Sequence, residues 1–209
     1  MRLFALLLAS ASFFLSPGVQ AQAKELAPDA LVKSVTDEVL DIIRKDKDIK
    51  AGSTRRAIEL VEQKVLPHFN FSRMTALAVG RDWRQATPEQ QKALTEEFRD
   101  LLVRTYSNAL TAYKNETVDY RPFKMQPGET DVTVRTQIHQ SGARQPIKLD
   151  YSLERNGNAW KVYDVVVADV SLVTNYRSSF ATEIRNGGID GLVKTLKAKN
   201  SSLEAANKK

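Results

Sequence analysis

The chain predicts an α+β fold: a four-stranded antiparallel meander with helices packed on one face and extra helices ahead of it. Three observations predict it. Apolar residues recur every three to four positions from Pro28 to about Tyr113, which is the period of amphipathic helices. From Thr117 the period becomes two, and turn residues separate the runs. After Asp169–Ser171 the spacing returns to three or four. Helices first, sheet second and helices last is the order of a domain that segregates its helices to one face of a sheet. The 209 residues are enough for one such domain with a sizeable core. The organisation expected is a leader at 1–23, a single domain at 24–199 (helical over 24–113, sheet and final helices over 117–199), and a disordered tail at 200–209.

Arg2 followed by the apolar run Leu3–Leu15 and by Ala21-Gln22-Ala23 has the three parts of a secretory signal peptide, with Val19-Gln20-Ala21 as a second possible cut. The run is too short to span a bilayer, and no later stretch approaches the ~20 apolar residues a span needs. Export as a soluble protein is the expectation. The chain contains no cysteine, which removes disulfides, thiol chemistry and Cys-ligated metals together.

Pro28 to Lys45 carries Leu31, Val35, Val39 and Ile42 on one stripe, and Ser53 is placed to cap a second helix with Ala57, Leu60, Val61 and Val65 inside. Pro67 ends that helix. Phe69 and Phe71 flank a short helix from about Ser72 to Val79, and with Met74 and Leu77 they make an aromatic-rich knot, read as core or as the floor of a pocket. Thr87-Pro88-Glu89-Gln90 combines an N-cap, a proline at the first helical position and the far half of a capping box. The helix it opens is the longest predicted, to about Tyr113. Small residues beside tyrosines at its end leave room for a ligand or for close packing on a sheet.

Val118 and Tyr120 begin the first strand. Val132, Val134, Thr136 and Ile138 alternate with polar residues in the second, and Ile147, Leu149, Tyr151 and Leu153 do so in the third. Asn156-Gly157 is the turn signal for a hairpin into the fourth, which starts at Trp160. Apolar residues of both parities from Tyr163 to Val167 predict a strand covered on both faces. Leu172, Val173, Tyr176, Phe180 and Ile184 then mark a helix, so the strand is expected to run straight into it and hold an apolar ligand under the corner. Gly187-Gly188 caps that helix, and Leu192, Val193 and Leu196 mark a last short one.

The stretch WKVYDVVVADVSLVTNYRSSF (160–180) and the block from Pro67 to Tyr113, PHFNFSRMTALAVGRDWRQATPEQQKALTEEFRDLLVRTYSNALTAY, resemble the MlaC-type periplasmic phospholipid-transport proteins, also called the toluene-tolerance family. The resemblance implies an NTF2-like sheet-and-helix core plus extra helices. It implies a carrier that takes a phospholipid from an outer-membrane lipoprotein–porin complex and exchanges it with an inner-membrane MCE-domain ring and its ABC transporter. Such a carrier helps maintain outer-membrane lipid asymmetry and meets the membrane only through these partners. It uses no cofactor, metal or nucleotide, and the phospholipid is its only ligand.

The residues themselves show no catalytic constellation. His68 and His139 lack partners at metal-ligand spacing, and there is no nucleophile elbow, P-loop or dinucleotide fingerprint. The formal net charge of +6 is spread along the chain, without the compact basic and aromatic run of a nucleic-acid site. It suits a solvated basic surface or attraction to acidic headgroups or to an acidic docking partner. Exposing two acyl chains of about thirty methylenes to water costs on the order of 24 kcal/mol, so a lipid crosses an aqueous space only inside a carrier.

The expected cavity is lined by Val132, Val134, Ile138, Leu149, Tyr151 and Val165 from the sheet. From the helices come Phe98, Leu102, Tyr106, Leu110, Val173, Tyr176 and Phe180, and Arg177 stands at the mouth facing a phosphate. Two other readings compete. One is a cavity enzyme in which Asp164 or Asp169 abstracts a proton. The other is a periplasmic chaperone or adaptor whose groove holds a peptide.

Overall fold

A computed structural model describes residues 26–207; the expected leader at 1–23 lies outside them. The helices are α1 (Pro28–Lys45), α2 (Lys47–Lys50), α3 (Thr54–Lys64), α4 (Phe71–Val79), α5 (Pro88–Tyr106), α6 (Asn108–Thr111) and α7 (Leu172–Asn207), with single 3-10 turns at Leu66–His68 and Gly80–Gln85. The strands are β1 (Thr117–Tyr120), β2 (Asp131–His139), β3 (Ile147–Asn156), β4 (Ala159–Val167) and β5 (Val170–Ser171). They form one antiparallel sheet in sequence order.

Five strands replace the four expected, because the chain does not run straight from strand to helix. Ala168 and Asp169 both take positive φ, 48° and 67°, and fold Val170–Ser171 back beside Val166 and Val167 as a two-residue hairpin. The both-parity pattern of β4 also has a local cause. The register with β3 shifts between Ser152 and Leu153, so Tyr163 is an extra residue. The bulge reverses the alternation: Trp160 and Val162 before it, and Val165 and Val167 after it, belong to the same cluster against the sheet.

The capping box forms as spaced: Gln90 N–H donates to Thr87 Oγ1 at 3.3 Å, and Thr87 N–H donates to Gln90 Oε1 at 3.0 Å. The helix stops earlier than its stripe, at Tyr106, and resumes for one turn as α6. Near its middle α7 breaks at Gly188, whose φ of 66° favours glycine, and then continues to Asn207. Residues 200–207, expected as part of a disordered tail, are therefore helical. Asn200 is buried and donates to Glu97 O at 2.9 Å and to Glu97 Oε2 at 2.8 Å, docking the segment on α5. Leu203 adds an apolar contact to the same cluster, but one leucine among polar residues gives no periodic stripe.

Three apolar clusters hold the molecule. Met74, Leu94, Phe98, Leu101, Val173, Phe180 and Leu192 fill the space between α4, α5 and α7. Val132, Val134, Leu153, Trp160 and Val162 cover the inner face of the sheet, with Val32 of α1 against them. Val39, Ile43, Ile49 and Leu60 join α1, α2 and α3. The functional candidate lies where the three meet.

Candidate functional site

Two apolar hollows occupy that junction. The first, of about 220 Å³, is walled by α4 (Phe71, Met74), α5 (Leu102, Val103, Tyr106), Ser107, α3 (Val61), Val65, Leu66, Val165 and Leu172. The second, of about 210 Å³, lies between α1 (Leu31, Val32, Val35, Thr36, Leu40) and the sheet (Val118, Ile138, Leu149, Tyr151, Val162), with His68 at its side. Val39, Val65, Phe69 and Leu110 belong to both walls, so the hollows are two lobes that share a partition. Almost every lining atom is carbon, and each lobe exceeds the ~150 Å³ at which an apolar cavity stays dry and takes up benzene.

Local structure sets the partition. Asn70 N–H donates to Val162 O at 2.8 Å, and Phe69 bridges β4 in parallel at Val162. That bond fixes Phe69 between the lobes, with its ring stacked on Phe71 at 5.6 Å. Asn70 Oδ1 accepts from Arg73 N–H at 3.0 Å and so caps α4, while its Nδ2 donates to Glu154 Oε1 at 2.6 Å. Arg73 pairs with Glu154, and with Asp131 at 2.7 Å, and lies 3.6 Å over the Tyr163 ring. Tyr163 Oη in turn donates to Asp131 at 2.7 Å. This polar clamp binds the lobe wall of α4 to the sheet.

Burial disfavours charge on the titratable groups at and beside the second lobe. Burial pushes the Tyr151 hydroxyl up to about 12. Burial and the Asp37 charge push Tyr120, beside it, to about 12. Burial holds the His68 imidazole below its ordinary value; Lys161 pushes the same way and Glu38 opposes them. Among the described residues no group of three His, Cys, Asp or Glu side chains is placed to hold a metal ion.

Of the expected site residues, Leu102, Tyr106, Leu110 and Val165 stand on the first lobe, and Leu110, Ile138, Leu149 and Tyr151 on the second. Phe98, Val173, Tyr176 and Phe180 line neither lobe. Phe98 meets Tyr176 and Phe180 edge-on at 5.1 Å in the filled cluster behind α5. Val132 and Val134 pack within the sheet cluster. Arg177, expected at the mouth, lines neither lobe either. Its guanidinium donates to Leu77 O at 3.1 and 2.8 Å, closing the carboxyl end of α4 beside Arg81 and Arg84. The two acids considered for catalysis are also away from the lobes. Asp164 caps the start of α7, accepting from Ser171 Oγ at 2.6 Å and Val173 N–H at 3.2 Å, and Asp169 pairs with Lys148 at 3.0 Å on the surface.

Sequence reasoning missed the contribution of α1, of Val61–Phe69 and of Leu172. The stripe Leu31–Val35–Val39 was visible as an apolar face, and Phe69 and Phe71 as the knot that core or pocket would both explain. His68, which lacks partners at metal-ligand spacing, carries no sequence signal that it borders the second lobe.

Comparison with known proteins agrees with this architecture. The chain is similar to the intermembrane phospholipid transport system binding protein MlaC of Haemophilus influenzae, 26% identical over 172 residues, 81% of this chain and 80% of that one. It is also similar to the toluene tolerance protein Ttg2D of Pseudomonas putida, 26% identical over 164 residues, 78% of this chain and 75% of that one. A solved structure of a phospholipid-binding protein from Ralstonia solanacearum, in complex with a phospholipid, superposes with a TM-score of 0.79 at 40% identity, covering 86% of this chain and 99% of that one. The family model described as MlaC protein matches residues 33–198, and the chain belongs to the MlaC family.

Proposed function

We propose that this protein is a periplasmic carrier that holds a phospholipid by its acyl chains in the two lobes. It shuttles the lipid between an outer-membrane lipoprotein–porin complex and an inner-membrane MCE-domain/ABC transporter complex, maintaining outer-membrane lipid asymmetry. The observation that carries the reading is the pair of apolar lobes divided by Val39, Val65, Phe69 and Leu110. Two chains joined at a glycerol match two lobes joined at a partition. The phospholipid in the Ralstonia structure and the name of the Haemophilus relative support the ligand class.

The energetics favour an occupied cavity. Apolar wall left facing water is unfavourable by ~25 cal/mol per Å², and acyl chains cover it. Inside lobes as apolar as a bilayer, acyl chains move from membrane to protein at nearly constant free energy. Loading and unloading are then both accessible, and docked partners set the direction. Headgroups stay in water.

In this reading Leu102, Tyr106, Leu110, Ile138, Leu149, Tyr151 and Val165 touch lipid, together with Val39, Val65 and Phe69. Phe98, Val132, Val134, Val173, Tyr176 and Phe180 support the walls from behind. Arg177, held on Leu77 O, takes no part in headgroup recognition. Among the described residues no helix is long and apolar enough to cross a membrane, consistent with membrane contact through partners. Native mass spectrometry of the gently purified protein, followed by organic extraction, tests the proposal. A mass excess of a phospholipid recovered intact is expected; a lipid-free mass that liposomes do not change would overturn it, and recovered peptide would favour the adaptor.

A further inference from the structure

Ser107 ends α5, begins α6 and forms part of the wall of the first lobe. It is 3% exposed, and its Oγ has no hydrogen-bond partner. Other hydroxyls in comparable positions are spent on backbone. Thr75 Oγ1 donates to Phe71 O, Thr95 Oγ1 to Gln91 O and Thr136 Oγ1 to Leu149 O, each at 2.7 Å. Ser107 has the same option in the carbonyl of Val103, four residues back, which already accepts its N–H at 3.0 Å, and its hydroxyl does not use it. A hydroxyl removed from water without a partner is costly and rare. Alanine at this position would avoid that cost in an empty protein. A serine kept there fits a ligand that brings a polar atom to it.

The surroundings identify the atom. Tyr106, on the same wall, is 40% exposed and its neighbour Ser107 is buried, so at the end of α5 the wall passes from solvent to interior. Elsewhere the wall includes the buried apolar residues Val39, Met74, Leu102 and Val165. A lipid with its head in water and its chain inside places its ester linkage between the two, at the level of Ser107. An ester carbonyl accepts a hydrogen bond and donates none, which matches a hydroxyl with a free proton. An ether-linked chain has nearly the same shape and lacks that carbonyl.

Resting on the carrier reading, we propose that Ser107 is a specificity contact: its hydroxyl donates to an ester carbonyl of the bound lipid, so the cavity favours ester-linked over ether-linked chains. The test offers lipid-stripped protein an equimolar mixture of diacyl and dialkyl phosphatidylcholine of equal chain length and counts bound lipids by native mass spectrometry. The wild type takes up the diacyl lipid about fivefold better, the worth of one neutral hydrogen bond. Ser107→Thr keeps the preference and Ser107→Ala loses it, while lipid-free Ser107→Ala melts no lower than the wild type. An equal preference in wild type and Ser107→Ala, or none in the wild type, overturns the proposal. Uptake of neither lipid by the wild type overturns the carrier reading, and this proposal with it.

Discussion

His68 shows how one side chain on the lobe wall responds to its surroundings. Its half-buried ring faces Lys161 and Glu38, and burial, aided by Lys161, holds its pKa below the ordinary value. The folded protein therefore prefers the neutral imidazole more than the unfolded chain does. The resulting stability is complete above about pH 6.5, the ordinary histidine value, and is lost as pH falls from there through the lower folded value. His68→Gln, which cannot titrate, is expected to melt with a flatter pH dependence than the wild type between about pH 7 and pH 5. Parallel curves for the two proteins would remove His68 as a source of acid sensitivity. Lobe residues were the hardest to read from sequence for a related reason. Leu110 and Phe98 lie on one predicted stripe, yet Leu110 meets empty space and Phe98 meets two aromatic rings. An apolar side chain carries no mark of whether its neighbour is protein or ligand.

Among the elements, the junction of β4, β5 and α7 carries the most structural information per residue. Asp164 accepts from Ser171 Oγ and Val173 N–H, and Ser171 Oγ accepts from Thr174 N–H at 3.0 Å, so two side chains cap α7 in series. Asp164→Ala leaves these donors unpaired, and a loss of roughly 1–3 kcal/mol in denaturant unfolding is expected, with lipid uptake by the folded protein unchanged. Loss of a chemical turnover with unchanged stability would instead support the cavity enzyme. Elements with local signals were legible in advance. Pro28–Lys45 forms over the span its stripe predicts, and the Thr87 capping box forms as spaced. The bulge at Tyr163 and the turn at Ala168–Asp169 were not legible, because both mimic the pattern of a doubly buried strand. Positive φ at Ala168 is an uncommon conformation that no residue type announces. The helical segment 200–207 was missed because its docking rests on a buried asparagine and the single apolar residue Leu203, too little for a periodic apolar face.

At the scale of the whole molecule, the two lobes lie among three apolar clusters of the described residues. The α4–α5–α7 cluster is filled, the sheet supplies a curved apolar wall, and α1 with α3 closes the other side. Under the proposed function, lipid occupies the partitioned space between them and not the filled cluster. Two variants separate these places. Leu110→Trp adds bulk to a wall shared by both lobes. Phe98→Ala removes a side chain that is 0% exposed in the filled cluster and should cost about 3–5 kcal/mol of stability. The measurement is phospholipid bound per folded molecule, read by native mass spectrometry beside a thermal melt. Leu110→Trp is expected to stay folded and lose its lipid, whereas Phe98→Ala is expected to melt lower and keep it. A full complement of lipid in Leu110→Trp, or its loss from folded Phe98→Ala alone, would contradict the account.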